Sequence, residues 1–339
     1  MLNIAIVGTG WISRQFADAV EATGAFAWTE LFSRKSSKGE QFLNPGEHVT
    51  VRTSFAELCG SDQVDVIYIA SPNSAHFSQA SEAIRHDKHI IVEKPAFSNP
   101  VEFRKILELL KKHPSVRMFE AARNIHTKNF HAIAKKLSEM DSVNGATLSY
   151  MKYSSKMPML NDPAQGVPNV FSPDFSGGAL QDLGVYLVYD AVALFGKPKE
   201  ATYIPCMLST GVDGMGTGVL RYDDFLVTVI TSKTVSSSMR SEIYGTKDYI
   251  SADDGGELRN VCYVNRDGKE EPMGETVTDN PMLGEVGEFS SVLDDLGSPD
   301  VESRYQHWLR LSEDVNSVLW DMRRSAGISF PSDSSADLR

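Results

Sequence analysis

The 339-residue sequence has few cysteines, and their arrangement supports no disulfide framework. Cys59, Cys206 and Cys262 are odd in number and far apart, and they form no CxxC or Cys/His ligand pattern. This spacing indicates neither a disulfide-stabilised secreted domain nor a zinc site, and it fits reduced thiols in a cytosol. We therefore expect a cytoplasmic protein without a bound metal.

The sequence also lacks an excess of basic residues and any long apolar run. Its 33 Lys and Arg against 45 Asp and Glu give a net charge of −12, which argues against a nucleic-acid or anionic-membrane partner. The amino terminus, "MLNIAIVGTG", has no basic flank or cleavage site, and nowhere do about 18 apolar residues run together. We expect a protein that is neither secreted nor membrane-spanning.

The first half alternates short apolar runs with segments of helical periodicity. "LNIAIVG", "AFAWTELFS", "VDVIYIAS", "HIIVEKP" and "VRMFEAA" are typical of strands, each of the later ones preceded by a helix-like segment. This alternation predicts an α/β fold with a parallel sheet and helices on both faces. Ligands bind such sheets at the carboxyl ends of the strands, near the point where strand order reverses.

The pattern changes after residue 122. A helical segment near 125–140 leads to several β-branched runs, such as "FLVTVITSK", without regular intervening helices. A long apolar helix is predicted over about 178–195. Because 339 residues exceed the usual size of one core, we expect two domains, 1–122 and 123–339, the second α+β with a largely antiparallel sheet.

A glycine turn follows the first strand. Gly8, Thr9 and Gly10 precede a helical segment, where glycine lets the backbone approach a diphosphate and the helix start supplies free N–H groups. Ser13 stands in place of the third fingerprint glycine, so the match is incomplete. A plain glycine turn is the alternative, and the β-α-β context favours dinucleotide binding.

The end of the second predicted strand carries Ser33, Arg34 and Lys35, with Lys38 beyond. A hydroxyl and a guanidinium suit a 2′-phosphate, whereas Glu30 lies inside the strand and too early to reach a ribose. This favours NADP over NAD. The alternative is that the basic residues only solvate a loop.

Another polar loop ends the run "VIYIA". Ser71, Pro72 and Asn73 open a helix there, and Asn73 suits both a helix N-cap and a cofactor contact. His76 falls in the first turn of this helix. A lone histidine at such a position is more often solvent-facing or capping than catalytic.

The run "HIIVEKPAF" stops at Glu93, Lys94 and Pro95. A buried, unpaired ammonium is costly, so Lys94 must reach water, a partner or a ligand. At the carboxyl end of a parallel strand, it would lie over the crevice that receives the nicotinamide. An ordinary lysine at a strand end is the alternative, but Pro95 restricts the local backbone and makes the position specific.

"SGGALQDLGVYLVYDAVALFG" places Asp182 and Tyr186 four residues apart on one helix face. A phenol beside a carboxylate suggests proton transfer if a cation, such as Lys94, stabilises the phenolate. Simple packing of Tyr186 and a helix-dipole role for Asp182 are the alternatives. Gly177 and Gly178 permit a close approach at the helix start.

In this order, "VGTGWIS", "SPNSAHF", "VEKPA" and "GGALQDLGVY" resemble the glucose–fructose oxidoreductase/inositol dehydrogenase (Gfo/Idh/MocA) family over nearly the whole chain. The resemblance implies an N-terminal Rossmann domain and a C-terminal domain with a large open sheet often used for dimerisation. It also implies NAD(P)-dependent oxidation or reduction of sugars, polyols or related diols by a homo-oligomer, a dimer or tetramer. Tyr186, where many members have histidine, is more similar to the branch of dimeric dihydrodiol dehydrogenase and xylose dehydrogenase.

The resemblance further implies roles for individual residues. Lys94 would lie between nicotinamide and substrate and share one chamber with Tyr186, which would exchange the hydroxyl proton, while Asp182 would orient the substrate. "ARNIHTKNF" lacks the family's frequent Arg-Phe-x-Pro pattern, so Asn124 and His126 are expected to line the substrate pocket instead. The expected cofactor contacts are Gly8, Thr9, Gly10, Trp11, Ile12, Ser33, Arg34, Ser71, Pro72, Asn73, His76, Glu93 and Lys94. A non-catalytic dinucleotide-binding sensor of the same fold is the rival class.

Overall fold

A computed structural model describes residues 1–162, 164, 166–277 and 280–334. The chain forms two compact units, one of Met1–Ala121 with Met282–Ser312 and one of Ala122–Pro281 with Glu313–Arg339. The division after residue 121 lies one residue from the boundary expected from the sequence. Residues 282–312, which we expected in the second domain, return to the first unit.

The first unit is built on a six-stranded sheet in which every pair is parallel. The strand order is β3-β2-β1-β4-β5-β6, so the order reverses between β1 and β4. This is the doubly wound arrangement, and the prediction of a parallel α/β sheet is confirmed. The strands are β1 (Leu2–Val7), β2 (Phe26–Phe32), β3 (Thr50–Arg52), β4 (Val66–Ile69), β5 (His89–Glu93) and β6 (Met118–Ala121).

Five helices connect these strands: α1 (Trp11–Thr23), α2 (Ser36–Phe42), α3 (Phe55–Cys59), α4 (Asn73–Arg85) and α5 (Pro100–Lys112). Local chemistry explains their ends. The Asn99 side chain accepts from the backbone N–H of Val101 and Glu102 at 3.1 and 3.0 Å, and Pro100 occupies the first turn of α5. The left-handed Gly24 ends α1.

The second unit contains an eight-stranded sheet in the order β14-β13-β12-β11-β7-β10-β9-β8. Only the β7–β10 pair is parallel among the strand pairs of its described residues. The prediction of a largely antiparallel sheet is confirmed. The strands are β7 (Gly145–Met151), β8 (Glu200–Met207), β9 (Asp213–Arg221), β10 (Leu226–Ser232), β11 (Ser241–Tyr244), β12 (Tyr249–Asp253), β13 (Arg259–Val264) and β14 (Glu270–Pro272).

Two helices of this unit, α6 (Lys128–Glu139) and α7 (Val185–Phe195), pack beside the sheet, and a turn of π-helix over Leu180–Gly184 leads into α7. The segment Pro173–Phe195 is long and apolar enough to cross a membrane by length and composition, yet 72% of an apolar stretch of 18 residues within it is buried inside the protein. It is the central helix of the second unit, since residues 185–192 of α7 are all buried.

The helix α8 (Leu283–Asp294) completes the core of the first unit. Val286, Phe289 and Val292 belong to the same apolar cluster as Phe16 and Phe119. The Phe119 and Phe289 rings stack with centroids 4.7 Å apart. A stripe of apolar side chains placed late in the chain thus covers a sheet made by its first third, which a boundary drawn along the sequence could not show. The helix α9 (Pro299–Ser325) contributes residues to both units.

Candidate active site

The glycine turn follows β1 in the first unit. Gly8 has φ +113°, and a Cβ added there would lie 2.8 Å from the Ala70 carbonyl oxygen, so the position requires glycine. Ser13, in the place of the third fingerprint glycine, is fully buried, and its Oγ would lie 3.2 Å from the same Cβ. The small serine side chain therefore fits where close helix–strand packing is needed.

The start of α1 is open to a ligand. Among the residues that the structure describes, no side chain caps the helix at Gly10, and the first turn contains no acidic residue. A Cβ added at Gly10 would meet no described atom within 4 Å, and the neighbouring Trp11 is 70% exposed. Thr9 and Ile12 are half-buried. An uncapped, positive helix end beside open space fits a diphosphate.

At the end of β2, Glu30 is held inside the protein. Its carboxylate accepts from Arg52 at 2.9 and 3.1 Å and from Ser61 at 2.7 Å. Burial by itself would raise the pKa of Glu30, but the hydrogen bonds from Arg52 and Ser61 outweigh it and hold the pKa below its usual value. The Glu30 carboxylate is 2% exposed and accepts three hydrogen bonds from the protein, so it is poorly placed to bind a ribose.

The loop beyond β2 carries exposed cations. Arg34, Lys35 and Lys38 are all exposed, while the buried Ser33 hydroxyl donates to the Lys35 carbonyl at 2.9 Å. A surface with three positive charges within five residues suits a phosphate ester.

The His76 side chain contacts both the loop after β4 and the turn after β5. Its imidazole is fully buried, with Nε2 2.8 Å from the Ser71 carbonyl oxygen and Nδ1 3.3 Å from that of Pro95. Burial lowers its pKa. The imidazole therefore lies close to both loops, and in its neutral form it donates to one of the two carbonyl groups. Pro72 is the N-cap of α4 and Asn73 is its first residue, and Ser71, Pro72 and Asn73 are half-buried.

Lys94 is half-buried at the end of β5, in a turn with a cis Lys94–Pro95 peptide. The neighbouring Glu93 carboxylate accepts from the Tyr68 hydroxyl at 2.5 Å. The Ala96 N–H donates to Glu120 at 3.0 Å. The adjacent strands β4 and β6 thus fix the turn on both sides. Because β1, β4 and β5 are parallel neighbours, the glycine turn, the Ser71 loop and the Lys94 turn lie at one edge of the sheet, as predicted.

In the second unit, the glycine pair before the π-helical turn makes room for Asp213. Gly178 has φ +119°, and a Cβ there would lie 2.1 Å from Asp213 Oδ1. Asp213 accepts from the Leu180 N–H at 2.8 Å and from the Tyr203 hydroxyl at 2.7 Å. The close approach that the glycines predicted is therefore made by the protein's own carboxylate, which anchors the start of the helix.

Asp182 and Tyr186 project from this helix in different surroundings. The Asp182 side chain is 32% exposed and forms an ion pair with Lys233. Tyr186 is buried, its ring in edge contact with Tyr150 at a centroid distance of 5.8 Å, and Arg123 Cζ lies 5.5 Å from its centroid. Such π-helical turns often occur at functional sites.

The sequence patterns did not single out the two cations beside these residues. Arg123 lies two residues after β6 and Lys233 directly after β10, so each lies close to the end of a strand, the same signal that singled out Lys94. Arg123 is buried and its guanidinium also contacts Glu257 at 3.4 Å. Arg123 therefore provides a cation beside the Tyr186 ring within the second unit, and the role that the sequence suggested for Lys94 stays a prediction.

Asn124 is fully buried within the second unit. Its Nδ2 donates to the Tyr186 carbonyl oxygen at 3.1 Å and to Asp190 Oδ1 at 2.8 Å. The side chain supports the helix that carries Tyr186, and its role as a substrate contact stays a prediction. His126, with 5% exposure, stays a prediction as a substrate contact.

Asp190 is a further residue that the sequence patterns did not single out. It lies four residues beyond Tyr186 and borders a small cavity with largely apolar walls, among them Leu148, Leu194 and Ile250. Burial raises the pKa of Asp190 to about 8, and the Asn124 hydrogen bond offsets only part of this rise. Its helical spacing from Asp182 and Tyr186 is the signal in the sequence that could have identified it.

Known protein families match the sequences of both units. The family model described as "Oxidoreductase family, NAD-binding Rossmann fold" matches residues 2–120, and the "GFO/IDH/MocA C-terminal domain" model matches residues 148–251. The fold is also that of KijD10, a 3-ketoreductase from Actinomadura kijaniata, with a TM-score of 0.82, 17% identity and coverage of 96% of this chain and 98% of that one.

Two relatives match end to end. The uncharacterized oxidoreductase YgjR of Escherichia coli is 33% identical over 98% of this chain and 99% of its own length. The scyllo-inositol 2-dehydrogenase (NADP(+)) IolU of Bacillus subtilis is 32% identical with the same coverage. Dihydrodiol and xylose dehydrogenases are related at 24% and 27% identity. The chain therefore belongs to the GFO/IDH/MocA family, and it is an NAD(P)-dependent oxidoreductase.

Proposed function

We propose that this protein is an NADP(H)-preferring polyol or sugar dehydrogenase in which Tyr186 exchanges the proton of the reacting hydroxyl. The observation that carries the proposal is the buried Tyr186 phenol beside the Arg123 guanidinium, on the helix that also presents the partly exposed Asp182. The name of IolU, an NADP(+)-dependent inositol dehydrogenase, supports both the cofactor and the substrate class.

The first unit supplies residues that fit the cofactor. The open helix start at Gly10 would hold the diphosphate, and the exposed Arg34 and Lys38 would hold a 2′-phosphate. A free Glu30 carboxylate would bind the ribose hydroxyls and favour NAD, but this carboxylate forms an ion pair with Arg52. Trp11 and the Ser71 loop would flank the dinucleotide, and Glu93 and His76 would support the turn that presents Lys94.

The nicotinamide, when bound, supplies or accepts the hydride. In the oxidation direction, Tyr186 accepts the hydroxyl proton, and a cation close to the phenol stabilises the phenolate form that this step requires. Asp182 accepts a hydrogen bond from a substrate hydroxyl and thereby orients the carbon that reacts. Lys94 donates to a hydroxyl of the substrate or of the cofactor ribose.

Tyr186→Phe tests this assignment. Removal of a general acid/base typically costs about 10²–10⁴-fold in rate, so kcat should fall by that factor while the Kd for NADPH stays nearly unchanged. Tyr189→Phe, which removes a buried phenol from the same helix, is the matched control and should retain activity. Normal turnover by the Tyr186 variant would assign the proton transfer to another group.

The substrate class is tested by following NADP⁺ reduction with inositols, pentoses, other polyols and an aromatic dihydrodiol. We expect the inositol or sugar group to be the best substrates. Activity with the dihydrodiol alone would assign the enzyme to that reaction instead. Tight NADPH binding without turnover of any member of the panel would support the rival class, a dinucleotide-binding sensor.

We propose that the protein is a cytoplasmic homo-oligomer, a dimer, and the exposed face of the second unit's sheet supports the dimer. The strand register places Ile204 opposite Thr217 and Thr217 opposite Ile230, all on one face. Ile204 is 78% exposed and Leu226, on the same face, is 52% exposed. Exposed apolar side chains mixed with threonines on a sheet of this size are suited to an isologous contact with a second copy.

A further inference from the structure

Lys233 is a buried cation beside the residue that we assign to substrate orientation. Its side chain is 8% exposed, and its ammonium forms an ion pair with Asp182, whose own side chain is 32% exposed. The ammonium also lies 5.9 Å from the centroid of the buried Phe171 ring. The carboxylate of the pair is therefore accessible, and the ammonium lies in direct contact with it.

The backbone holds Lys233 in place on both sides. Its N–H donates to the Gly214 carbonyl at 2.8 Å, and its carbonyl accepts from the Ser154 N–H at 2.9 Å. These hydrogen bonds extend the β10 ladder past its last residue, Ser232. The ammonium consequently starts from a rigid strand end, which is the kind of support that a specificity-determining side chain requires.

The ammonium has more hydrogen-bonding capacity than the protein uses. A lysine has three N–H donors, and in the part of the chain that the structure describes Asp182 is its one hydrogen-bond acceptor. Leaving donors of a buried ammonium unsatisfied is costly. Further acceptors at this position would therefore be favourable, and a ligand that reaches Asp182 is placed to supply them.

We propose that Lys233 and Asp182 form a two-point site for a vicinal diol, which makes Lys233 a specificity-determining residue. One substrate hydroxyl donates to the Asp182 carboxylate, and the oxygen of the adjacent hydroxyl accepts from the Lys233 ammonium. The pair carries no net charge, so it favours a neutral polyol over a sugar acid or a sugar phosphate. This inference rests on the proposed function and narrows its substrate class.

The test compares two ring polyols for binding to the NADPH-loaded protein, in which a polyol cannot be oxidised. Scyllo-inositol carries a hydroxyl on every carbon, whereas cyclohexane-1,3,5-triol has the same ring without any neighbouring pair. Isothermal titration calorimetry should show about 10-fold or more tighter binding of the inositol by the natural protein, the effect expected of one hydrogen bond to a charged group. Lys233→Met should lose most of this preference, and Lys233→Arg should recover part of it.

A purely structural ion pair predicts a different result. Lys233→Met would then lower the unfolding midpoint but bind both polyols with the natural ratio, which would overturn the proposal. Equal binding of the two polyols by the natural protein, or binding of neither, would overturn it as well. If Lys233→Met does not fold, Asp182→Asn, which preserves shape, replaces it and should also reduce the preference.

The outcome is independent of catalysis. A failure of the proposed function appears as absence of NADP⁺ reduction across the substrate panel, whereas this inference is judged on the ratio of two dissociation constants. A protein that prefers scyllo-inositol but does not turn it over would retain the diol site and lose the enzymatic assignment.

Discussion

The Asn124 carboxamide donates a hydrogen bond to Oδ1 of Asp190 at 2.8 Å, and both side chains are buried. The same Nδ2 also donates to the Tyr186 carbonyl oxygen at 3.1 Å. One amide therefore joins the segment after β6 to two successive turns of α7. The backbone carbonyl of Tyr186 thus shares a hydrogen-bond donor with an acid that lies one turn further along the helix.

Asp190 should make stability fall as pH rises. Burial raises its folded-state pKa to about 8 from a usual value of 3.8, so between these values the unfolded chain has lost a proton that the native protein keeps. In that window the native state loses about 1.4 kcal/mol of stability per pH unit from this group. Asp190→Asn, which does not titrate, should remove that slope.

The measurement is urea unfolding of both proteins from pH 5 to pH 8. The difference in unfolding free energy should move steadily in favour of Asp190→Asn as pH increases. Asp294→Asn, a change in the last residue of α8, is a control that should leave the pH dependence unchanged. Parallel curves for the Asp190 variant and the natural protein would show that Asp190 is ionised in the native state.

Arg123 should assist the phenolate of Tyr186. With its guanidinium 5.5 Å from the ring centroid, it supplies a positive charge that favours the ionised phenol. Burial raises the pKa of the neighbouring Tyr150 phenol, so that group remains neutral. Arg123→Met should therefore move the half-maximal rate of oxidation to higher pH and reduce kcat at neutral pH by about 10-fold, since a desolvated cation beside an aromatic ring contributes on the order of 1–2 kcal/mol.

The pH–rate profile of kcat measures this effect. Arg123→Lys retains the charge and should lie between the natural protein and Arg123→Met. A profile that keeps its shape in both variants would mean that Arg123 only packs against Tyr186. The Kd for NADPH should be unaffected in each case.

Cofactor choice should depend on the exposed cations beyond β2. Replacing Arg34 and Lys38 together by alanine should weaken NADPH binding by about 10–100-fold, because charge-assisted hydrogen bonds to a phosphate are lost, and leave NADH binding nearly unchanged. Fluorescence titration with both cofactors provides the ratio. Lys111→Ala with Lys112→Ala, on exposed residues of α5, controls for net charge. Equal losses for NADPH and NADH would contradict the 2′-phosphate assignment.

The open sheet face should be covered by a second copy. Ile204→Glu places a charge at a 78% exposed apolar position and should convert the dimer to monomer in sedimentation velocity experiments. Cys206 is exposed, while Cys59 and Cys262 are buried, so one thiol reports on the face. Its alkylation should be slow in the natural protein and fast in the variant. A natural protein that sediments as a monomer would exclude this interface.

Much of the first unit was predictable because its signals are local. Apolar runs that end in glycine or in polar residues predicted the strands β1, β2, β4, β5 and β6, and parallel pairing brings their carboxyl ends to one edge. The pairing of the Glu30 carboxylate with Arg52 could not be predicted from the sequence in the same way. Its partner Arg52 lies 22 residues away on β3, and only strand pairing places the two side chains together.

The second unit shows the limit of local patterns. The sequence placed Asp182 and Tyr186 on one helix, but their cationic neighbours, Lys233 and Arg123, lie 51 and 63 residues away along the chain (186 − 123 = 63). The burial of Asn124 and its hydrogen bonds to the helix that carries Tyr186 were not visible in the sequence either. Burial is a property of packing, which local patterns in the sequence do not encode.

The sequence by itself determined the fold class, because strand and helix periodicity and glycine turns are encoded by neighbours in the chain, and it singled out the cofactor loops and Lys94, Asp182 and Tyr186 as predictions. Only the tertiary structure decided that residues 282–312 complete the core of the first unit. It also decided that Arg52 forms an ion pair with the Glu30 carboxylate, and that Asn124 and Asp190 support the helix that carries Tyr186. These relationships join residues that are distant in sequence, and their energies depend on burial and charge proximity, which exist only after the chain has folded.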